Sequence, residues 1–359
     1  MSPRVVYVTA DERREPFLRA EVAALRDGGM PVEVVSLRHL MGDVRSWPGA
    51  VRAAATTVRR WAAADALPPR AWPKTSLAVA LADRLAATLR DRADHVHAYW
   101  ASGPASAGLV LADRLGVPFS FTAHRGDIVA GELLATKLRR AAFARAISRR
   151  GAALLRDAGP GRVETIRVGV DIPETMAVSP TGPRLLVVGT LYPVKGHGVL
   201  LEALQRLRDT PVEVDLVGDG PLRRPLRRAA AGLPVRFLGA LPHDDVLNLM
   251  TSGYVALVHP STVLAGGVEE GVPVVALEAG ARGLPVVATL SGATGELLDD
   301  ATGWPVTPGR PDALADAIGA LLASRDDAVR RAARLRQRVA DEWDVTLTAA
   351  RVAAAIAGG

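Results

Sequence analysis

In the segment EEGVPVVALEAGARGLPVVAT, residues 269–289, the glutamates Glu270 and Glu278 have seven residues between them. A Gly-Val-Pro follows the first, and an apolar stretch, Leu284–Ala288, follows the second. Val272 and Pro273 suit a helix start, where proline gives up no hydrogen bond, and Gly283 suits a helix end. The helix predicted up to Arg282 leaves Glu270 in the loop before it and carries Glu278 about a turn and a half along. The amides over Gly271, Val272, Val274 and Val275 then face the same space as Glu270. Carboxylates only accept hydrogen bonds, so the pair suits hydroxyl-rich ligands such as sugar and ribose. The plain alternative is a capping carboxylate plus a surface glutamate.

Two more stretches place reactive groups at strand ends. In RLLVVGTLYPVKGHGVLLEAL, residues 184–204, a strand ends at Gly189 and a helix begins near His197, with Lys195 and glycines 196 and 198 between. Glycines let backbone approach an anion, and an ammonium at a helix N-terminus favours phosphate. The loop is neither a GxGxxG fingerprint nor a GxxxxGK[ST] loop, which argues against NAD and ATPase chemistry. An ordinary turn with an exposed lysine is the competing reading. In FSFTAHRGDIV, residues 119–129, His124 follows an apolar run and belongs at that strand's carboxyl end. A lone histidine there is more often structural than chemical, and Asp127 can be read as the cap of the next helix.

The elements that must hold these residues come in two similar sets. Strands are predicted at Val5–Thr9, Val32–Leu37, His95–Tyr99, Pro118–Thr122 and Val163–Arg167, then at Arg184–Val188, Val212–Val217, Val235–Leu238, Val255–His259 and Pro285–Ala288. Helical patterns lie between them, so the fold class is α/β with parallel sheets covered on both faces. At 359 residues the chain exceeds what one core normally serves. The expected layout is a doubly wound Rossmann-like domain over 1–172, a Pro-rich linker over 173–183 and a second such domain over 184–340. Residues 341–359 should form a helix returning towards the first domain. Ligands in such sheets sit beyond the carboxyl ends of the strands.

Composition narrows the setting. Hydrophobic residues make up 49% and charged residues 23%, which is globular. Cysteine is absent, which removes disulfide and thiolate chemistry. The N-terminus lacks a signal-peptide layout and no apolar run reaches a membrane span, so a cytoplasmic protein is expected. Residues 1–172 carry 26 Lys/Arg against 17 Asp/Glu, and the remainder 18 against 21. An anionic partner would therefore meet the first half. Within it, Arg52, Arg59, Arg60, Arg70 and Lys74 accompany Trp61 and Trp72. That mixture suits a peripheral contact at the inner face of an anionic membrane, or else a solvated helix with its tryptophans packed inward. No nucleic-acid partner is expected.

Taken together, VGTLYPVKGHGVLLEAL, VDLVGDGPLRRPL, VRFLGALPHDDVLNLM, YVALVHPS and the E-x7-E segment resemble the retaining glycosyltransferases of family 4 (group 1). HVHAYWASGPASAGLVLADRLGVPFSFTAHRGDI and AISRRGAALL resemble more loosely the members acting on exopolysaccharides and surface glycans. The resemblance covers about residues 4–350 and implies a GT-B fold, two Rossmann-like domains facing across a cleft. It implies a nucleotide-diphosphate sugar on the C-terminal domain, with Glu278 on the ribose, Glu270 on the transferred sugar, and Lys195 with the amides at Gly189 and Gly271–Val274 on the diphosphate. The base would rest near Gly218 and Leu241. His124 would reach the donor sugar, with Asp127 on the acceptor side. A glycan, lipid-linked or small-molecule acceptor would occupy the N-terminal domain. Neither metal nor other cofactor is expected. The sequence departs from the family at Thr190, where arginine is common, and in the glycine-free loop ADERREPF. A nucleotide-sugar epimerase on the same fold and a non-catalytic glycan-binding protein are the rival readings, since a fold alone does not fix a reaction.

Overall fold

The computed structural model describes residues 2–40, 48–180 and 182–358. They form two compact units, one running through Gly169 and resuming at Val345, the other spanning Val170–Asp344.

In the first unit the strands are β1 (Val5–Thr9), β2 (Val32–Ser36), β3 (His95–Tyr99), β4 (Phe119–Ala123), β5 (Phe143–Ala146) and β6 (Val163–Thr165). They pair in parallel in the order β2-β1-β3-β4-β5-β6. Helices α1 (Pro16–Asp27), α2 (Leu37–Leu40), α3 (Pro48–Ala62), α4 (Trp72–Leu89), α5 (Gly103–Leu115), α6 (Arg125–Ala130), α7 (Leu134–Arg140) and α8 (Arg149–Ala158) connect them. The second unit repeats the design with β7 (Arg184–Val188), β8 (Glu213–Val217), β9 (Val235–Gly239), β10 (Ala256–His259), β11 (Val286–Thr289) and β12 (Trp304–Val306). Their order is β12-β11-β10-β7-β8-β9, again parallel. Its helices are α9 (His197–Arg206), α10 (Arg223–Ala229), α11 (His243–Met250), α12 (Val274–Ala281), α13 (Pro311–Ala323) and α14 (Arg325–Trp343). Helix α15 (Val345–Ala357) belongs to the first unit, where Ala349, Val352 and Ile356 pack with Leu18, Val22 and Leu25 of α1.

Strand order reverses between β1 and β3 in the first unit and between β7 and β10 in the second. At such a switch point the connections leave in opposite directions and open a crevice beyond the carboxyl ends. The loops after β7 and β10, and those after β1 and β3, therefore flank the natural ligand positions.

The units divide at different residues from those expected. Residues 170–172 and 341–344 lie in the second unit, where Val170 donates its amide to the Trp343 carbonyl at 2.8 Å. The described part of the linker expected over 173–183 also belongs to that unit, with the Ala177 amide donating to the Arg282 carbonyl at 2.7 Å. Two strands are additional. β5 reads FARA, a helix-like composition with a charge inside it, and β12 reads WPV, whose proline fits only an edge.

Both sheets bury polar side chains. In the first, Arg145 of β5 pairs with Glu21 of α1 at 2.5 Å, both essentially unexposed. Tyr7 donates to the same carboxylate at 3.2 Å, and Arg145 also donates to the carbonyls of Ile166 and Arg167. His95 and His97 of β3 share Ser120 at 2.6 and 2.7 Å, and His97 reaches Thr122 at 2.8 Å. Burial pushes His95 down to about 4 and His97 well below the usual histidine value. In the second sheet Asp215 of β8 is buried and accepts from Tyr254 at 2.5 Å and from Arg236 at 2.7 Å, beside an aliphatic core around Leu185, Val187, Leu216, Val258 and Val287.

Candidate functional site

Three segments distant in sequence meet beyond the carboxyl edge of the second sheet. After β7 the chain turns through Gly189 and Thr190, then through a single 3₁₀ turn, Pro193–Lys195, into α9. The Gly189 amide donates to Val217 at 3.0 Å, which ties this loop to the end of β8. There Gly218 has φ +142°, and a side chain on it would stand 1.9 Å from the Gly189 carbonyl oxygen, so only glycine fits. Gly218 in turn donates to Gly239 at 2.7 Å. Beyond Gly239 come Leu241 and then His243, the first residue of α11. His243 Nε2 lies 2.6 Å from Glu278 Oε1 on α12. Glu270, in the loop before α12, lies 2.8 Å from Lys195 Nζ. Two side-chain pairs, Lys195–Glu270 and His243–Glu278, therefore stand at this edge, and backbone bonds tie Gly189 to Val217 and Gly218 to Gly239.

The second carboxylate segment differs in detail from its reading. Helix α12 starts at Val274, with Pro273 just outside it at ψ 84°, not helical. The Pro273 carbonyl still accepts from Ala276 and Leu277 at 2.9 and 3.2 Å. Val272 and Pro273 are buried, and Gly271 accepts from Ala293 at 3.0 Å, so the loop is fixed from below. Gly292 makes this fit possible: its φ is +62°, and a side chain would stand 2.0 Å from the Glu270 carbonyl oxygen. The first amides of α12 lack intrahelical acceptors by helix geometry.

Electrostatics at this edge are mixed. The Lys195 and Glu270 side chains are 22% and 12% exposed, so the pair is largely shielded yet reachable. Behind it, His197 bonds the Thr190 carbonyl at 3.3 Å and His259 bonds Ser261 at 2.8 Å. Burial holds His197 near 4 and His259 near 3, with the Lys195 charge adding to both. Both imidazoles are neutral at pH 7 and leave Lys195 as the cation of this corner. His243 behaves oppositely: its hydrogen bond to Glu278 raises its pKa against partial burial. Thr190 is exposed and offers no cation where the family commonly has arginine.

His124 and Asp127 lie in the first unit. His124 directly follows β4 and precedes α6, at the carboxyl edge. Its ring stacks on Trp100 with centroids 4.0 Å apart and sits 5.3 Å from the Tyr99 ring. Trp100 itself has φ +148°, a conformation that side-chain-bearing residues rarely hold. Neither ring nitrogen of His124 makes a hydrogen bond, and Asp127 Oδ2 stands 3.7 Å from Nδ1. Asp127 accepts the His124 amide at 3.2 Å, so its carboxylate helps to cap α6. Close by, Glu15 accepts from Thr9 at 2.6 Å, and burial raises its pKa. Glu15 comes from the glycine-free loop ADERREPF, which folds one acid inward.

His243, Glu15 and Trp100 were not legible as site residues. His243 stands two positions after Leu241 in LPHDDV, yet its partner is 35 residues away. Glu15 sits among charged neighbours that look solvated, and the conformation of Trp100 leaves no mark in sequence.

Comparison with known proteins gives this geometry its class. Residues 15–180 match the family model described as glycosyl transferase 4-like domain, and residues 182–324 match glycosyl transferases group 1. Among solved structures, Anabaena HepE in complex with UDP and glucose superposes with a TM-score of 0.73 at 18% identity, covering 99% of this chain and all of that one. Sucrose-phosphate synthase from Thermosynechococcus elongatus gives 0.74 at 18% identity over 97% of each chain. The fold is GT-B, and the chain carries the two glycosyltransferase domains in tandem. Among curated relatives it is 32% identical over 171 residues to a GDP-mannose-dependent monoacylated α-(1-6)-phosphatidylinositol monomannoside mannosyltransferase of Corynebacterium glutamicum, 45% of this chain and 44% of that one. It is 30% identical over 170 residues to the putative colanic acid biosynthesis glycosyltransferase WcaL of Escherichia coli, 44% of this chain and 42% of that one. The match spans less than half the length of either relative.

Proposed function

We propose that the protein is a retaining glycosyltransferase that moves a sugar from a nucleoside-diphosphate sugar to a hydroxyl of a glycan or glycolipid acceptor. The observation that carries this reading is the pairing of Lys195 with Glu270 at 2.8 Å at the second unit's carboxyl edge, beside the Gly189 loop and ahead of the helix that carries Glu278. In this reading Glu278 accepts from the ribose hydroxyls, Glu270 from the transferred sugar, and Lys195 exchanges Glu270 for the donor diphosphate. The base lies along Gly218 and Leu241, and Gly189, Thr190 and the backbone of Gly271–Val274 line the phosphates. His124 is assigned to the transfer step.

The chemistry follows from charge. As the bond between the anomeric carbon and the diphosphate oxygen breaks, the sugar becomes positive and the leaving group gains negative charge. A positioned ammonium and aligned amides stabilise that gain more in the transition state than in the ground state. The acceptor oxygen attacks on the face the diphosphate leaves, and its proton passes to a diphosphate oxygen, which retains configuration without a protein nucleophile. No cofactor beyond the donor enters this scheme. The donors named for relatives and neighbours, GDP-mannose and UDP-glucose, and the phosphatidylinositol mannoside and colanic acid products, support the substrate classes.

The test is turnover of nucleotide sugars without acceptor, with the released sugar identified. Slow release of free sugar with retained anomeric configuration supports the reading. An epimerised nucleotide sugar, or binding with no turnover even after acceptors are added, would replace it.

A further inference from the structure

We infer that His243 is a positioning residue for the donor, and that its protonation makes nucleotide-sugar affinity pH-dependent; this rests on the assignment of Glu278 to the ribose. The geometry is specific. His243 Nε2 contacts Glu278 Oε1 at 2.6 Å, and the imidazole and carboxylate side chains are 35% and 14% exposed. Arg282, four residues on from Glu278, donates to the Glu278 carbonyl at 3.2 Å rather than to its carboxylate. One carboxylate oxygen is thus engaged by His243, which fixes the rotamer and leaves Oε2 to accept from a diol. Nor is His243 a neutral helix-start residue. It opens α11, where the helix dipole disfavours a cation, and still the hydrogen bond to Glu278 raises its pKa. The charged groups around it are Glu278 and Asp244, which favour the imidazolium, and Arg282, which opposes it.

The sign of the effect follows. A nucleotide sugar carries two phosphate charges that do not titrate near neutrality. Below the raised His243 pKa, the imidazolium–carboxylate pair is neutral overall and oriented. Above it, a bare carboxylate faces an anionic ligand and is freer to turn away. Affinity should therefore fall as pH rises through that pKa, and binding should take up a fraction of a proton. For a partly exposed pair the expected loss is roughly threefold to fivefold.

Calorimetric titration of the full chain with UDP-glucose and GDP-mannose, from about pH 6 to about pH 9 in buffers of different ionisation enthalpy, tests this. The wild type should weaken with pH and show proton uptake. His243→Gln, which keeps a donor but no titratable charge, should bind with a flat pH profile. His243→Ala should be flat and weaker, raising KM while kcat stays near wild type. A flat wild-type profile, or one unchanged in His243→Gln, overturns the inference while leaving the donor site standing. If neither nucleotide sugar binds at any pH, the donor-site reading fails and the inference with it.

Discussion

The first unit closes one ion pair wholly inside the protein, and the second holds one that solvent can reach at its sheet's carboxyl edge. Arg145 and Glu21 are an ion pair at 2.5 Å with no exposure, held by Tyr7 and two backbone carbonyls. Lys195 and Glu270 are an ion pair at 2.8 Å, partly exposed, beyond the carboxyl edge of the second sheet. The two contacts look alike by distance and differ in what water can do. Water cannot replace either partner between β5 and α1, so the pair is committed to holding the fold. At the second unit's edge the side chains are 22% and 12% exposed, and in the proposed reading an incoming anion replaces Glu270. Burial, rather than contact length, separates a structural pair from one available for chemistry.

Removing one partner should therefore have opposite consequences in the two places. Arg145→Ala leaves Glu21 buried without a counter-charge and should destabilise by about 3–5 kcal/mol, read by denaturant unfolding. Arg145→Met with Glu21→Leu should recover most of that loss; failure to recover would mean that the histidine–serine ladder, rather than charge, organises this sheet. Lys195→Ala should leave unfolding within about 1 kcal/mol of wild type and lower kcat/KM by about 2–4 kcal/mol. Equal losses of stability and activity in Lys195→Ala would erase the distinction between the pairs.

His124→Ala sharpens the comparison from the first unit's side. Its ring is packed on Trp100, with no hydrogen bond at either nitrogen. Transfer is expected to fall about a hundredfold, the size of one lost transition-state donor. Nucleotide affinity, measured by calorimetry, should not change. Loss of nucleotide binding as well would place His124 in the nucleotide site instead.

Acid provides a probe on which the two units should agree. His95 and His197 are held near 4 and His259 near 3, all by burial. Their folded pKa values lie below the unfolded one, so the unfolded chain binds protons first. Stability should be intact above about pH 6.5 and fall towards pH 4, by on the order of 1 kcal/mol per histidine by pH 5–6. Thermal unfolding at stepped pH should show this loss. Replacing His97 and His95 by Gln should shrink it only in part, because the second unit contributes its own share.

Much of the architecture was legible because parallel strands buried on both faces read as continuous apolar runs. Val5–Thr9, His95–Tyr99 and Arg184–Val188 fall where they were expected. Strand β5 was hidden by Arg145, whose burial depends on Glu21, 124 residues away. Within the site, Lys195, Glu270 and Glu278 stand out by spacing. Their surroundings depend on His243, paired with Glu278, and on glycine clearances at Gly218 and Gly292, which are long-range facts. Asp127 was legible as a helix cap, and its carboxylate accepts the His124 amide at 3.2 Å.

The smallest expected effect concerns the basic surface of the first unit. The tryptophans that would suit a membrane interface are packed inward: Trp61 lies against the core, and Trp72 does so while donating to the Leu67 carbonyl at 3.2 Å. What remains outside is charge, with Arg52, Arg59 and Arg60 exposed on α3. A contact made by charge alone contributes about 1 kcal/mol per side chain near an anionic surface and is screened within a Debye length of about 10 Å in ~0.1 M salt. Binding to vesicles containing anionic lipid should accordingly be weak, reversible by salt and absent on neutral vesicles. The Arg59→Glu, Arg60→Glu pair should remove it in co-sedimentation. Trp61→Ala should lower stability without changing vesicle binding, because an indole packed in the core cannot also sit among headgroups. If that variant loses vesicle binding while remaining folded, the tryptophan must turn outward at the membrane. If the wild type shows no enrichment on anionic vesicles at low salt, the basic surface has another purpose, and weight moves to an acceptor free in solution.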